Sequence, residues 1–189
     1  MKFFNMNTNK LLLITAVSSV LLAIILIPMI IFKPWIPIDP LYISGKVFYL
    51  RVTEPLISDE IVFSGSSQSG ELTTFRIKPE NPNNKLAKVD VELTNHSNST
   101  VKILIDSKST ELITNKQDFF KPLDSVEKSE AIDNYDSSDL IEFTPLWGSF
   151  DLFPNEIIKG SFAFEIPTNI VFVQFAWLAS DSITIAYTE

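Results

Sequence analysis

The sequence predicts an all-β fold, an antiparallel β-sandwich, preceded by one transmembrane α-helix. Three observations carry that expectation. Leu11 to Phe32 is a run of 22 residues without one charged side chain. At 1.5 Å per residue it makes about 33 Å of helix, enough for a hydrocarbon core of about 30 Å. Beyond it, helix signals are scarce. Short stretches of alternating apolar and polar residues recur instead, cut by turn residues, as in a half-buried antiparallel sheet.

The apolar run reads as an uncleaved signal anchor. A cleaved signal peptide has a shorter apolar core and small residues at its end. Here the run ends in Ile31-Phe32-Lys33-Pro34-Trp35, which is large and proline-bearing. Pro28 kinks only the last turn, and the hydroxyls of Thr15, Ser18 and Ser19 bond back to the helix backbone. Lys2 and Lys10 precede the run with no acid among them, and acidic residues accumulate after it. The positive-inside rule then places the N-terminus in the cytoplasm and the following domain outside. The expected organisation is a cytoplasmic N-terminus at 1–10, the anchor at 11–32, a proline-rich stalk at 33–45 and an extracytoplasmic sandwich at 46–189.

Composition narrows the partners. All 23 acidic residues lie beyond Lys33, against 12 lysines and arginines, a balance of −11 for residues 34–189. Such a domain repels phosphate backbones, so no nucleic acid partner is expected. The expected partners are the lipid bilayer, through residues 11–32, and a protein of the cell envelope. Cysteine is absent, so the core holds without disulfides and no thiolate metal site exists.

The strands follow in order. Lys46–Val52 and Glu60–Phe63 are the first candidates, and Ser64–Gly70 is a polar loop. Leu72–Lys78 is the third, closed by the turn residues 79–84. The clearest alternation is Ala87–Thr94, where Val89, Val91 and Leu93 face one way and Lys88, Asp90, Glu92 and Thr94 the other. Val101, Ile103 and Ile105 alternate after the polar loop 95–99, and the two stretches read as a hairpin. Glu111–Thr114 extends the pattern. Residues 118–139 are an acidic insertion, read as a long loop or as a loop with one short helix near 125–131. Strands resume at Leu140–Phe143, Trp147–Phe150, Ile157–Ile166, Val171–Leu178 and Ser182–Tyr187. Short strands at this spacing make a sandwich.

Two segments carry a resemblance. Lys88 to Asn98 resembles a "V-x-V-x-x-x-N-x-S" strand and turn, and Leu152 to Pro167 resembles "L-x-P-G-E-x-x-x-G-x-x-x-F-x-V-P". Together they are similar to the DUF4352-type, telokin-like immunoglobulin-like domains of exported bacterial and archaeal proteins, over about 75–187. The resemblance implies an immunoglobulin-like sandwich with an adhesive or accessory role outside the cytoplasm, and it brings no catalytic residues. Asn155 stands where the pattern has glycine, which asparagine can replace if the turn needs a positive φ.

Candidate sites are few. His96 is the single histidine, so Ser-His-Asp and two-histidine metal arrangements are impossible or incomplete, and an exposed loop residue is expected. Asp133, Asp136 and Asp139 supply oxygens of the kind calcium takes, without the glycine and closing glutamate of an EF-hand; a solvated acidic loop is the plainer reading. Asn95 and Asn98 each open a glycosylation sequon. Trp147 and Phe150 lie where alternation breaks and are the candidate partner contacts; the competing reading is packing. The remaining aromatics, Phe143, Phe153, Phe162, Phe164, Phe172, Phe175 and Trp177, are expected in the core. No phosphate loop, nucleophile elbow or zinc spacing occurs, so no cofactor and no catalysis are expected. The function expected is a membrane-anchored binding or accessory domain; the alternative is a structural, stator-like subunit of a membrane complex.

Overall fold

The computed structural model describes residues 41–66, 70–133, 135–136 and 139–187. The expected cytoplasmic N-terminus, the 11–32 anchor and the stalk up to residue 40 lie outside the described residues. Among the described residues, no helix is long and apolar enough to cross a membrane.

Strands account for nearly all regular structure. They are β1 (Leu41–Ser44), β2 (Phe48–Val52), β3 (Leu56–Ser58), β4 (Ile61–Ser66) and β5 (Leu72–Ile77). Next come β6 (Asn84–Asn95), β7 (Val101–Ile105), β8 (Thr110–Thr114), β9 (Phe119–Phe120) and β10 (Glu130–Ile132). The last are β11 (Gly148–Leu152), β12 (Ile157–Pro167), β13 (Phe172–Trp177) and β14 (Ile183–Ala186). Every pairing between these strands is antiparallel.

The two longest strands, β6 and β12, pair along their whole length and form the spine. Around them the central sheet runs β1-β2-β6-β12, with β3 also on β6. One face of this sheet packs on β7, β8, β11, β13 and β14. Phe48, Leu50, Val89, Val91 and Leu93 meet Ile103, Leu112, Phe175 and Trp177 there, and Phe162 lies edge-on to Trp177 at 6.3 Å. The other face is covered at one end by β4 and β5, where Leu86 and Ala163 pack on Ile61, Phe63, Ile77 and Phe143. The spine is therefore buried on both faces at that end. Ala163 and Phe164 are both fully buried, which explains why β12 reads as a continuous apolar run there rather than a strict alternation.

This all-β sandwich agrees with the expected class, and several sequence expectations are corrected. The strand at Ala87–Thr94 does not form a hairpin with Val101–Ile105. β6 already has β2 and β3 on one edge and β12 on the other, so β7 crosses to the opposite layer and pairs with β11. Leu41–Ser44, read as the end of the stalk, is an edge strand on β2. The prolines that forbid regular pairing end at Pro40, and Leu-Tyr-Ile is strand-favouring. The loop read at 64–70 begins later, because β4 runs to Ser66 opposite Leu72. The acidic insertion holds no helix at 125–131. It contains β9, one turn closed by Lys128 N–H on the Asp124 carbonyl, and β10, which pairs with β5. Arg76 pins β10 by donating to Glu130 at 2.6 Å. Leu140–Phe143 makes one bridge to Val62 instead of a strand. Of the aromatics expected in the core, Phe153 is exposed.

Asn155 does adopt a positive φ, 65°. Its N–H donates to the Asn95 carbonyl at 2.7 Å, and Asn95 N–H donates to the Glu156 carbonyl. The two segments that carry the family resemblance thus meet at one corner.

Candidate functional site

A cleft opens on the outer face of the central sheet, beyond the cover of β4 and β5. The side chains of that face are set by register. Tyr42, Arg51, Glu92 and Lys159 form one row across β1, β2, β6 and β12. Thr53, Asp90 and Ser161 lie one step along it.

A β-bulge shapes this face. Val52 lies opposite Val91 and Leu56 opposite Lys88, so three residues of one strand face two of the other. At the bulge Thr53 N–H donates to the Asp90 carbonyl, and Asp90 N–H donates to the Thr53 hydroxyl, both at 3.0 Å. On the far side, Ser161 N–H donates to the Thr144 carbonyl at 2.7 Å, which lays residues 144–146 along β12 as a wall. Gly160 permits that approach: a Cβ there would stand 2.7 Å from Leu146 Cβ. Between bulge and wall lies the cleft, of about 260 Å³.

Its floor is ionic. Glu92 Oε2 stands 2.8 Å from Lys159 Nζ and 3.7 Å from Arg51 Nη1, one carboxylate shared by two cations. Asp90 accepts from Ser161 Oγ at 2.5 Å and from Lys88 Nζ at 2.8 Å. The Lys88 side chain is only 8 % exposed, and that carboxylate is the counter-charge it meets. Glu142 lines the cleft with no ion-pair partner among the described residues.

An aromatic cluster stands on the same sheet face beyond Arg51, outside the lining of the cleft. Tyr42, 61 % exposed, lies 5.5 Å from Tyr49, and Tyr49 stacks on His96 at 4.3 Å. His96 is half-buried, with Nε2 3.2 Å from the Gly45 carbonyl, not the open loop residue expected. The Tyr42 hydroxyl is held above the usual tyrosine range by desolvation, by Tyr49 and by Glu92. It therefore stays a hydrogen-bond donor at neutral pH.

The hairpin that presents Tyr42 is clasped from behind. Asp181 accepts from the N–H groups of Val47 at 2.8 Å and Phe48 at 3.2 Å. Desolvation pushes its pKa up, but four backbone N–H bonds outweigh it and leave the carboxyl below the ordinary aspartate range. A depressed pKa stabilises the fold at neutral pH and gives that contribution up as acid protonates the folded carboxylate. Asp181→Asn is therefore expected to lower the melting temperature at pH 7. The gap to wild type should narrow as the pH falls below 4, as thermal melts across pH 3–7 would show.

The residues singled out from sequence fall elsewhere. Asp133, Asp136 and Asp139 follow β10, and Asp139 N–H donates to the Asp136 carbonyl. Among the described residues, no group of three His, Cys, Asp or Glu side chains could hold a metal ion. Asn95 is fully buried with its amide nitrogen donating to the Ser99 and Leu152 carbonyls, so the folded domain closes it as a glycan acceptor; Asn98 is exposed. Phe150 belongs to strand β11 and is half-buried against the main core, in line with the packing reading, while Trp147 is half-buried just before that strand. Sequence reasoning found Lys88, Asp90 and Glu92 as a wet face but missed Tyr42, Arg51 and Lys159, which join that face only through register.

No family model matches the chain, and no curated protein matches it. Two solved structures are similar to it. One is a conserved hypothetical protein from Bacillus anthracis, 12 % identical, with a TM-score of 0.42 over 76 % of this chain and 92 % of that one. The other is an uncharacterized beta-sandwich protein from Clostridium difficile 630, 9 % identical, with a TM-score of 0.44 over 80 % of this chain and 92 % of that one.

Proposed function

We propose that this chain is an accessory domain of the cell envelope, held by residues 11–32 with its sandwich outside the cytoplasm, that binds a protein partner and catalyses no reaction. The uncharged 22-residue run and the lysines before it support the anchor and its direction. The corner where Asn95 meets Asn155 and Glu156 supports the likeness to DUF4352-type, telokin-like immunoglobulin-like domains.

The observation that carries the binding role is the open half-edge at β3. β2 and β3 form one line along β6, interrupted by the bulge. β1 covers the β2 half, and β3 has no strand on its outer edge among the described residues. Leu56 and Ile57 are 52 % and 44 % exposed there. An uncovered edge with exposed apolar side chains is a template for a partner's strand.

Crosslinking in native membranes, capture through a C-terminal tag and mass spectrometry test this. One or two envelope proteins are expected at near-equal abundance with the chain. Leu56→Glu with Ile57→Glu should cut that recovery about tenfold, a loss of about 1.4 kcal/mol of binding, while leaving the melt unchanged, since exposed substitutions rarely move stability. Recovery of the chain alone would overturn the proposal.

A further inference from the structure

The cleft on the outer sheet face is separate in chemistry from the apolar edge at β3, and its charges are sorted by position. We propose that it is a site for a free α-amino acid in its zwitterionic form. The ligand's carboxylate lies on Arg51 and Lys159, its ammonium on Glu142, and its side chain leads out to solvent.

The charge left after internal pairing has two signs in two places. The lining holds two cations, Arg51 and Lys159, and three carboxylates, Asp90, Glu92 and Glu142. Asp90 is answered by Lys88, which reaches it at 2.8 Å from outside the lining. Glu92 is one carboxylate between two cations, so the row Arg51–Glu92–Lys159 keeps one positive charge in excess. Glu142 is exposed and has no ion-pair partner among the described residues, so its side of the cleft keeps one negative charge. A simple anion answers the row and is repelled by Glu142. A simple cation answers Glu142 and is repelled by the row. A neutral ligand answers neither. A zwitterion answers both.

Hydrogen-bonding geometry assigns the two ends. Arg51 Nη1 stands 3.7 Å from Glu92, beyond hydrogen-bond distance, so its planar fork is not committed there. Such a guanidinium takes a carboxylate on two parallel N–H bonds. Lys159 meets Glu92 with one of three N–H groups, and its mostly exposed side chain can turn another to the same ligand. The ammonium end falls to Glu142. The Thr53 hydroxyl, which accepts from Asp90 N–H, has a second lone pair for it.

Size agrees. The cleft's volume of about 260 Å³ lies just under the range of about 300–1,000 Å³ typical of small-molecule sites, so one small molecule enters. Glu92 and Asp90 are successive outward positions on β6, about 7 Å apart along the strand. Ser161, in the row of Asp90, is tied to Thr144, two residues from Glu142. The positive row and the Glu142 side are thus about one strand step apart, which suits a ligand that carries both charges on one carbon.

The test uses the full chain in lipid nanodiscs and ligand-observed saturation-transfer NMR, with empty nanodiscs as the blank. The probes are the genetically encoded L-amino acids at millimolar concentration. Each binder is followed by its N-acetyl derivative, which keeps the α-carboxylate alone, and its carboxamide, which keeps the α-ammonium alone. At least one amino acid is expected to receive saturation. Both of its derivatives should bind about tenfold more weakly, since each loses a charge-assisted pair. Glu142→Gln should weaken the amino acid about tenfold without weakening the N-acetyl derivative. Arg51→Gln with Lys159→Gln should weaken it likewise without weakening the carboxamide. Glu142→Gln should leave the melt unmoved, because that side chain is exposed and unpaired. Leu56→Glu with Ile57→Glu should bind the amino acid as wild type does, which separates failure of this site from failure of the edge. Saturation reaching none of the amino acids overturns the site. So does a derivative that binds as tightly as its parent, the mark of a simple anion or cation site.

Discussion

Asn95→Asp is expected to cost about 3 kcal/mol at pH 7, a large part of a typical domain's 5–15 kcal/mol. Asn95 is fully buried and makes four side-chain bonds. Its amide nitrogen donates to the Ser99 carbonyl at 2.8 Å and the Leu152 carbonyl at 2.9 Å. Its oxygen accepts from Ser97 N–H at 2.9 Å and Ser97 Oγ at 2.7 Å. Aspartate is the same shape and keeps the accepting side. It has no hydrogens for the two carbonyls and turns a carboxylate oxygen toward them instead. The fold then favours the protonated acid, so the folded-state pKa rises. A raised pKa means the penalty is small below the unfolded value, near 4, and grows as the pH climbs through the folded one. Urea unfolding at pH 4 and pH 7 should therefore show a deficit that widens with pH. Equal stability of variant and wild type at pH 7 would mean that the corner is not what ties β6 to the end of β11.

Asp90→Ala is expected to cost about 3 kcal/mol by stranding Lys88. The lysine side chain is 8 % exposed and lies 2.8 Å from Asp90 Oδ2. Removing one partner of a buried pair leaves an uncompensated charge and costs about 3–5 kcal/mol. The lower end applies because Asp90 itself is partly open to water. Ser161 Oγ loses its acceptor as well. The decisive comparison is Lys88→Met with Asp90→Ala. Replacing both partners by apolar groups removes the stranded charge, so the double variant should recover most of the loss. If denaturant unfolding finds the single and double variants equally weakened, the deficit comes from the lost bond between Asp90 and Ser161, not from Lys88.

The fold was legible where the cause is local. Val89, Val91 and Leu93 alternate because one face of β6 is buried, and that pattern stands in the sequence. The positive φ of Asn155 was legible too, since asparagine tolerates it after a proline in a tight turn. What the sequence hid was partnership. A polar loop such as 95–99 looks the same whether the next strand folds back or crosses to another layer. The choice is made by β12, which takes the edge of β6 from some sixty residues away. The ordering of β10 likewise rests on Arg76 meeting Glu130, one pair among many acidic residues that look alike. The candidate site follows the same rule. Its floor on β6 was visible, but Arg51, Lys159 and Tyr42 become its neighbours only once three separate strands are in register.

The β6–β12 pair also has a consequence for how the chain reaches its fold. The pair joins Thr94 to Ile157 and Asn84 to Pro167, separations of 63 and 83 residues. Closing so long a loop is only modestly costly at equilibrium but slow to accomplish, which puts the domain among slow-folding β proteins. During synthesis, the 61 residues between Asn95 and Ile157 take about 3–12 s to appear at about 5–20 residues per second. Through that interval β6 waits with a bare apolar face and a bare edge, the combination most prone to pair with a neighbouring chain. The last third of the polypeptide thus governs whether the middle third stays out of aggregates.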